Sequence, residues 1–326
     1  MVHGLARGQD RRGGVSARIV ISEFMDAPAV ARLAARFEVD YRPQLVDDQR
    51  ALQAALPTAH AWIVRNRTPV RGALLEAATQ LRVVGRLGVG LDNIDLVACG
   101  ARGIEVIPAV GANAQSVAEY VLTAALMLLR GVYFSTRAVE AGNWPRQMLS
   151  QGREAYGKVL GIVGLGSIGQ LTARKAASLG MRIVAYDPVW PEPKALDGLE
   201  VEKRELDSLL EESDVVSLHL PLTPQTRGLL GRERLSRMKP GAILINTARG
   251  GILDEAALAA TLRDGRLAGA ALDVFESEPL AAASPLAGVP RLLLTPHIAG
   301  VTVEANERVS ALIAERVAAA LGSTLP

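Results

Sequence analysis

Three residues in the second half of the 326-residue chain have the chemistry of a proton-coupled reaction. They are Arg249 in "AILINTARGG", Glu278 in "AALDVFESEPL" and His297 in "RLLLTPHIAG". Each follows closely on a short apolar run that reads as a buried strand. In a doubly wound sheet the carboxyl ends of the strands line one ligand crevice, so residues far apart in the chain can converge there. An imidazole titrates in the range needed to take a hydroxyl proton. A carboxylate beside it orients the ring and stabilises its protonated form. A guanidinium fixes a carboxylate with two parallel hydrogen bonds and polarises a carbonyl in the reverse direction. The set suits movement of a hydride to or from C2 of a 2-hydroxy acid, with His297 as proton carrier, Glu278 as its partner and Arg249 as anchor. Singly the residues say less. His297 is one of four histidines, but Arg249 is one of 31 arginines, against five lysines. No metal site is expected.

A cofactor for such a reaction has a place in "KVLGIVGLGSIGQLTARKAASLG", which carries Gly164-Leu165-Gly166-Ser167-Ile168-Gly169 between an apolar strand and an amphipathic helix. Gly164 allows the tight turn, Gly166 lets a pyrophosphate approach the backbone, and Gly169 lets helix and strand pack closely. The phosphates then meet free amides at the positive end of the helix. Glycines alone are a weak signal. The next strand, "MRIVAYDP", ends in Asp187, 18 residues after Gly169. An acid there accepts hydrogen bonds from the ribose hydroxyls and repels a 2′-phosphate, so NAD is expected rather than NADP. The upstream stretch "GRLGVGLDNID" imitates the pattern at Gly88-Val89-Gly90, but Asn93 replaces the third glycine and no acidic strand end follows at the right distance. The amides of Val89 and Gly90 suit a smaller anion, such as a carboxylate.

These residues need a scaffold of strands that end together. Short β-branched runs recur at 18–22, 61–64, 81–85, 104–107, 158–164, 181–187, 214–220, 242–246, 268–274 and 291–295. Helical patterns such as "DAPAVARLAARF" and "DEAALAATLRDG" lie between them; the last begins with Asp254 as N-cap and ends near Gly265. Several runs are apolar without alternation, as in strands covered on both faces. Repeated strand–helix–strand units imply parallel sheets with right-handed crossovers. There are too many strands for one ordinary sheet, so two α/β domains are expected. The apolar helix from about Val117 to Arg130 is the candidate crossing, and a final helix over 302–320 returns to the first domain.

The totals agree. A chain that is 49% hydrophobic and 21% charged is globular rather than disordered, and a net charge of +2 gives no polyanion-binding surface, so no nucleic-acid partner is expected. The lone Cys99 excludes an internal disulfide and favours a reducing compartment, read as the cytoplasm. Residues 1–17 are basic without an apolar core to follow and read as a disordered tail or an overlong start, not a secretory signal. "VLTAALMLL", bounded by Glu119 and Arg130, is far short of the roughly 20 residues a membrane span needs.

With these residues in view, the chain resembles the D-isomer-specific 2-hydroxyacid dehydrogenase family from about residue 18 to its end. The matching stretches are "RLGVGLDNID", "GANAQSVAEY", "GKVLGIVGLGSIG", "LHLPLTPQTRGLL", "MKPGAILINTARGGILDE", "ALDVFESEP" and "LTPHIAG". The resemblance implies two flavodoxin/Rossmann-like domains with doubly wound parallel sheets. A cofactor domain over 113–297 would be inserted into a substrate domain over 18–112 and 298–326, and a homodimer would join through the cofactor domains. It also implies that Arg249, Glu278 and His297 are the catalytic residues and that Asp273 contacts the nicotinamide carboxamide. Asn113 and Thr247 would line the cofactor and substrate cleft, and His219 would sit near the cofactor without being the catalytic imidazole. Ala155 departs from the leucine that many members carry ahead of the fingerprint, which bears on local packing only.

Selectivity is expected from the first domain, where "IVRNRTPV" places Arg65, Asn66 and Arg67 just after a strand and Arg86 follows the next. With one arginine already given to the substrate carboxylate, further cations suggest a second acidic group, such as a phosphate or sulfonate. "ISEFMD", "IVRNRT" and "NWPRQ" are similar to a branch of the family that acts on sulfolactate. Phosphoglycerate oxidation is the alternative, and glyoxylate or hydroxypyruvate reduction follows if the cations stand away from the cleft. The same fold also serves NAD-sensing corepressors, which need recruitment surfaces that this sequence does not display.

Overall fold

The computed structural model describes residues 17–132, 135–192 and 196–325. Its chain divides into two compact units, one running up to Val110 and resuming at Asn306, the other Gly111–Ala305. The tail expected over residues 1–17 falls, except for Ala17, outside the described residues. Among the described residues no helix is long and apolar enough to cross a membrane.

The first unit is built on β1 (Arg18–Ile21), β2 (Glu38–Tyr41), β3 (Ala61–Val64), β4 (Val83–Arg86) and β5 (Glu105–Pro108). All pairings are parallel, in the order β2-β1-β3-β4-β5, the flavodoxin-type doubly wound arrangement. Val20, Trp62, Val64 and Val84 bury one face of the sheet against the helices Gln49–Ala55 and Gly72–Ala77. The opposite face meets the last helix, Val303–Ala320. There a Cβ on Gly85 would stand 2.8 Å from the methyl groups of both Ile313 and Val317, so the strand has no room for a side chain under this helix.

The second unit is a seven-stranded sheet of β6 (Val159–Val163), β7 (Arg182–Tyr186), β8 (Glu202–Lys203), β9 (Val215–Leu218), β10 (Ile243–Asn246), β11 (Gly269–Leu272) and β12 (Leu292–Leu294). Its order, β12-β11-β10-β9-β6-β7-β8, is again wholly parallel. Successive residues face opposite cores: Leu160 and Ile162 join one apolar cluster, Val159 and Val163 the other. That is why these strands read as unbroken apolar runs. The chain winds outward from β6 through β7 to β8, then returns to β9 and continues the other way. The reversal lies between β6 and β9, the place where ligands bind in open α/β sheets.

The architecture of two parallel-sheet α/β units is the one the strand pattern implies. Two strands were not expected, β2 ("EVDY") and β8 ("EK"), both at sheet edges and both without an apolar run. The crossing also differs. The chain passes between units at Gly111, ahead of the helix Ala114–Arg130, which lies wholly in the second unit with Val117, Val121 and Leu128 in its core. The return comes at Asn306 rather than at residue 298, because the amides of Ile298 and Ala299 bond to Asp273 and the Thr302 hydroxyl to that of Ser116.

Candidate active site

The glycine turn opens at the carboxyl end of β6, at the reversal. Gly164 has φ +102°, a left-handed conformation that favours glycine; a Cβ there would also lie 2.8 Å from the carbonyl carbon of His219. A Cβ on Gly169 would lie 2.1 Å from the Gly164 carbonyl oxygen, so helix and strand touch through bare backbone. Gly166 differs: a Cβ there meets nothing within 4 Å, and as N-cap of the helix Ser167–Ser178 it supplies no capping side chain. The amides of the first turn, including Ser167 and Ile168, therefore face open space at the positive end of a helix, where an anion belongs. Asp187 stands beside this turn, with Oδ2 accepting from Leu165 N–H at 2.6 Å and Oδ1 from Val189 N–H at 2.8 Å. Each oxygen keeps a lone pair for a ribose hydroxyl. Thr247 Oγ1 and Asn113 Oδ1 are buried polar atoms with no hydrogen-bond partner, which asks for a ligand to satisfy them. Open glycine backbone, strand-end carboxylate and orphaned polar atoms all fit a dinucleotide.

Of the three residues singled out for chemistry, two touch. His297 Nδ1 lies 2.7 Å from Glu278 Oε2, with both side chains about one-third exposed. The other carboxylate oxygen accepts from Phe275 N–H at 3.0 Å, which fixes the acid. Burial pushes the Glu278 carboxyl up, but the hydrogen bonds from His297 and Phe275 and the nearby charges of His297 and Arg249 outweigh it, leaving it below the usual carboxylate range. Arg249 is thus close enough for its charge to act on Glu278. Its Nη1 donates to the Ala248 carbonyl, and its own carbonyl accepts from Asn246 Nδ2 at 3.0 Å. A Cβ on the next residue, Gly250, would overlap the Phe275 carbonyl at 1.8 Å, so glycine alone lets the arginine loop lie against the loop that carries Glu278.

Asp273 explains how His297 is presented. It is 1% exposed and follows β11. Its Oδ1 accepts from Ile298 N–H at 2.8 Å and Thr295 Oγ1–H at 2.6 Å, its Oδ2 from Ala299 N–H at 2.8 Å, and its carbonyl from His297 N–H at 2.9 Å. Both side-chain oxygens of Asp273, the acid expected to contact a nicotinamide carboxamide, accept hydrogen bonds from the histidine loop. His219, after β9, pairs with Ser217 Oγ at 2.9 Å, and loss of water around its ring lowers its pKa to about 4.

In the first unit the cations separate. Arg67 pairs with Asp47. Arg86, 8% exposed, donates Nε–H to the Gly90 carbonyl at 2.9 Å. Arg65 is half-buried: its Nη2 donates to Asn306 Oδ1 at 3.0 Å, and it lies 5.7 Å from the centre of the Phe24 ring. Among the described residues it has no carboxylate at ion-pair distance. Burial pushes its guanidinium below the usual arginine range, with the charge of Glu23 opposing. Asn66 is exposed, and the amides of Val89 and Gly90 have no partner among the described residues. Sequence reading passed over Glu23, Tyr120, Thr295 and Asn306. Glu23 had the same signal as the others, a polar residue just after a strand.

A doubly wound unit with a glycine turn at its reversal, a strand-end acid and a carboxylate–imidazole pair defines an NAD-dependent oxidoreductase. The model of the D-isomer specific 2-hydroxyacid dehydrogenase NAD binding domain matches residues 122–299, more than half of the chain. A sulfolactate dehydrogenase, the (S)-specific enzyme of Chromohalobacter salexigens, is 54% identical over 93% of this chain and 98% of its own. The D-3-phosphoglycerate dehydrogenase of Mycobacterium tuberculosis is 41% identical over 93% of this chain, which spans only 56% of that enzyme's length. A solved structure from Thermus thermophilus superposes with a TM-score of 0.84 at 36% identity, covering 95% of this chain and 98% of that one. The chain belongs to the D-isomer-specific 2-hydroxyacid dehydrogenase family, oxidoreductases acting on CH–OH groups with NAD.

If Asp187 holds the ribose, Asp187→Ala weakens NAD about tenfold or more and lowers the ratio of kcat/KM for NAD to that for NADP. An unchanged ratio removes the assignment.

Proposed function

We propose that the protein oxidises, and in reverse forms, a small 2-hydroxy acid that carries a second acidic group, with sulfolactate as the substrate. The observation that carries the reaction is the 2.7 Å contact between His297 and Glu278 at adjacent strand ends of the dinucleotide-binding unit. His297 Nε2 takes the hydroxyl proton, and the Glu278 carboxylate stabilises the imidazolium that results. Arg249 holds the C1 carboxylate and, in the reverse direction, polarises the carbonyl. Gly166, the first turn of the helix that follows it, Asp187 and Thr247 would hold NAD, which when bound supplies the hydride acceptor. His219, kept neutral by its low pKa, does not compete for the proton. Asn113, Val89, Gly90 and Asp273 keep supporting roles towards substrate and cofactor.

A half-buried guanidinium without a carboxylate partner is a receptor for an anion, and Arg65 is such a group. The 54% identity to a sulfolactate dehydrogenase points the same way. Phosphoglycerate oxidation is the second reading, favoured by relatives such as the mycobacterial enzyme. The proposed setting is the cytoplasm, whose reducing poise keeps Cys99 a thiol. A second copy of the chain is the proposed cover for exposed apolar side chains of the segment 139–156, among them Val139, Trp144, Met148 and Tyr156, each between 44% and 78% exposed.

Four outcomes check these readings. His297→Ala lowers kcat about a hundredfold or more while NAD binding is unchanged; retained turnover removes the proton-carrier role. Because Glu278 sits below the usual range, it stays ionised as pH falls, and its support is lost only below that depressed value. Glu278→Gln therefore lowers kcat/KM for oxidation about tenfold or more throughout the pH range in which the wild-type carboxylate is ionised; an unchanged kcat/KM uncouples the two residues. On a panel of sulfolactate, 3-phosphoglycerate, glycerate and lactate, the wild type prefers the doubly acidic acids, and Arg65→Ala erases that preference. No preference in the wild type refutes the tail reading. Sedimentation is expected to show twice the 34.5 kDa chain mass; a monomer refutes the dimer.

A further inference from the structure

Glu23 lies two residues beyond β1 and is 5% exposed. Its Oε1 accepts from the backbone N–H of Arg65 at 2.8 Å and of Thr68 at 3.0 Å, and its Oε2 from Arg67 N–H at 3.3 Å. Three amides converging on one point form a concavity that suits a free anion. Here the chain fills it with its own carboxylate. The Arg65 guanidinium emerges from the same loop, and its two side-chain partners, Asn306 Oδ1 and the Phe24 ring, carry no charge. Glu23 is the charged group whose field reaches it.

We infer that Glu23 selects the charge of the substrate's tail. Its buried carboxylate offsets part of the Arg65 charge and so cuts the advantage that a phosphate dianion would otherwise hold over a singly charged sulfonate or carboxylate. The inference rests on Arg65 receiving the tail, as proposed above. Hydrogen bonds from a guanidinium to a sulfonate and to a phosphate have the same geometry, so those bonds alone separate the two poorly. The repulsion from Glu23 scales with the tail's charge. A phosphate monoester carries close to two charges near neutral pH, because its second pKa is about 6. One further unit of charge at such range is worth roughly three- to thirtyfold in affinity, depending on how much water remains between the groups.

The test compares kcat/KM with NAD for sulfolactate, 3-phosphoglycerate and lactate in the wild type, Glu23→Gln, Asn306→Asp and Arg65→Ala. Glu23→Gln removes the opposing charge and raises the phosphoglycerate-to-sulfolactate ratio at least about threefold. Asn306→Asp adds a negative charge beside the same guanidinium and lowers that ratio at least about threefold. A loop that was merely disturbed would lower both substrates together and leave the ratio alone. A ratio that stays put, or moves the same way in both variants, overturns the inference. If circular dichroism shows Glu23→Gln unfolded, the ratio in Asn306→Asp decides alone. Failure of the underlying reading shows elsewhere: Arg65→Ala would then treat lactate and sulfolactate as the wild type does.

Discussion

The arrangement of the candidate active site depends on one buried carboxylate, Asp273. His297 adopts φ +57°, a left-handed conformation that a residue with a Cβ adopts at a cost of about 1–2 kcal/mol. A loop will not settle there unless something else holds it. Asp273 does so by gathering the Thr295 hydroxyl and the Ile298 and Ala299 amides on its two oxygens, while its carbonyl takes the His297 amide. The Tyr120 hydroxyl, 2.6 Å from Thr295 Oγ1, has one role open to it. The threonine proton is directed at the carboxylate, so the tyrosine must be the donor.

The frame extends sideways. The amide of Asp273 bonds to the carbonyl of Asn246 on the neighbouring strand. The Asn246 side chain in turn accepts from the Ala248 amide and donates to the Arg249 carbonyl. Glu278 is tied to the same frame through the Phe275 amide. Guanidinium, carboxylate and imidazole thus hang from one hydrogen-bonded lattice across β10, β11 and the end of β12. Backbone contact at Gly250 keeps two of the three loops together. Small errors in one strand end would be felt by all three groups.

Much of this was legible in the sequence, for a definite reason. Strands covered on both faces must be apolar throughout, so β1, β3 and β6 declare themselves, and polar residues closing such runs stand out. Edge strands need no such pattern: β2 ("EVDY") and β8 ("EK") are held by one neighbour and face water, so charged residues suffice. The glycine turn was readable because each glycine answers a separate steric demand. The work of Asp273 was not, since its partners at Thr295, Ile298 and Ala299 are more than 20 residues downstream, and two of them offer only backbone amides.

The arginines show the same limit from the side of charge. Arg65 and Arg67 are two residues apart in one loop, and nothing in "RNR" says which is committed elsewhere. The distinction comes from Asp47, 20 residues upstream, which takes Arg67, and from Glu23, which occupies the amides of the loop rather than a guanidinium. In a chain with so many arginines, composition cannot mark a receptor; only the pattern of partners can. The charge left available in this loop is thus set by which cations the fold has already paired, and Arg65 differs from Arg67 because its side-chain neighbours, Asn306 and Phe24, hold it in place without a charge of their own.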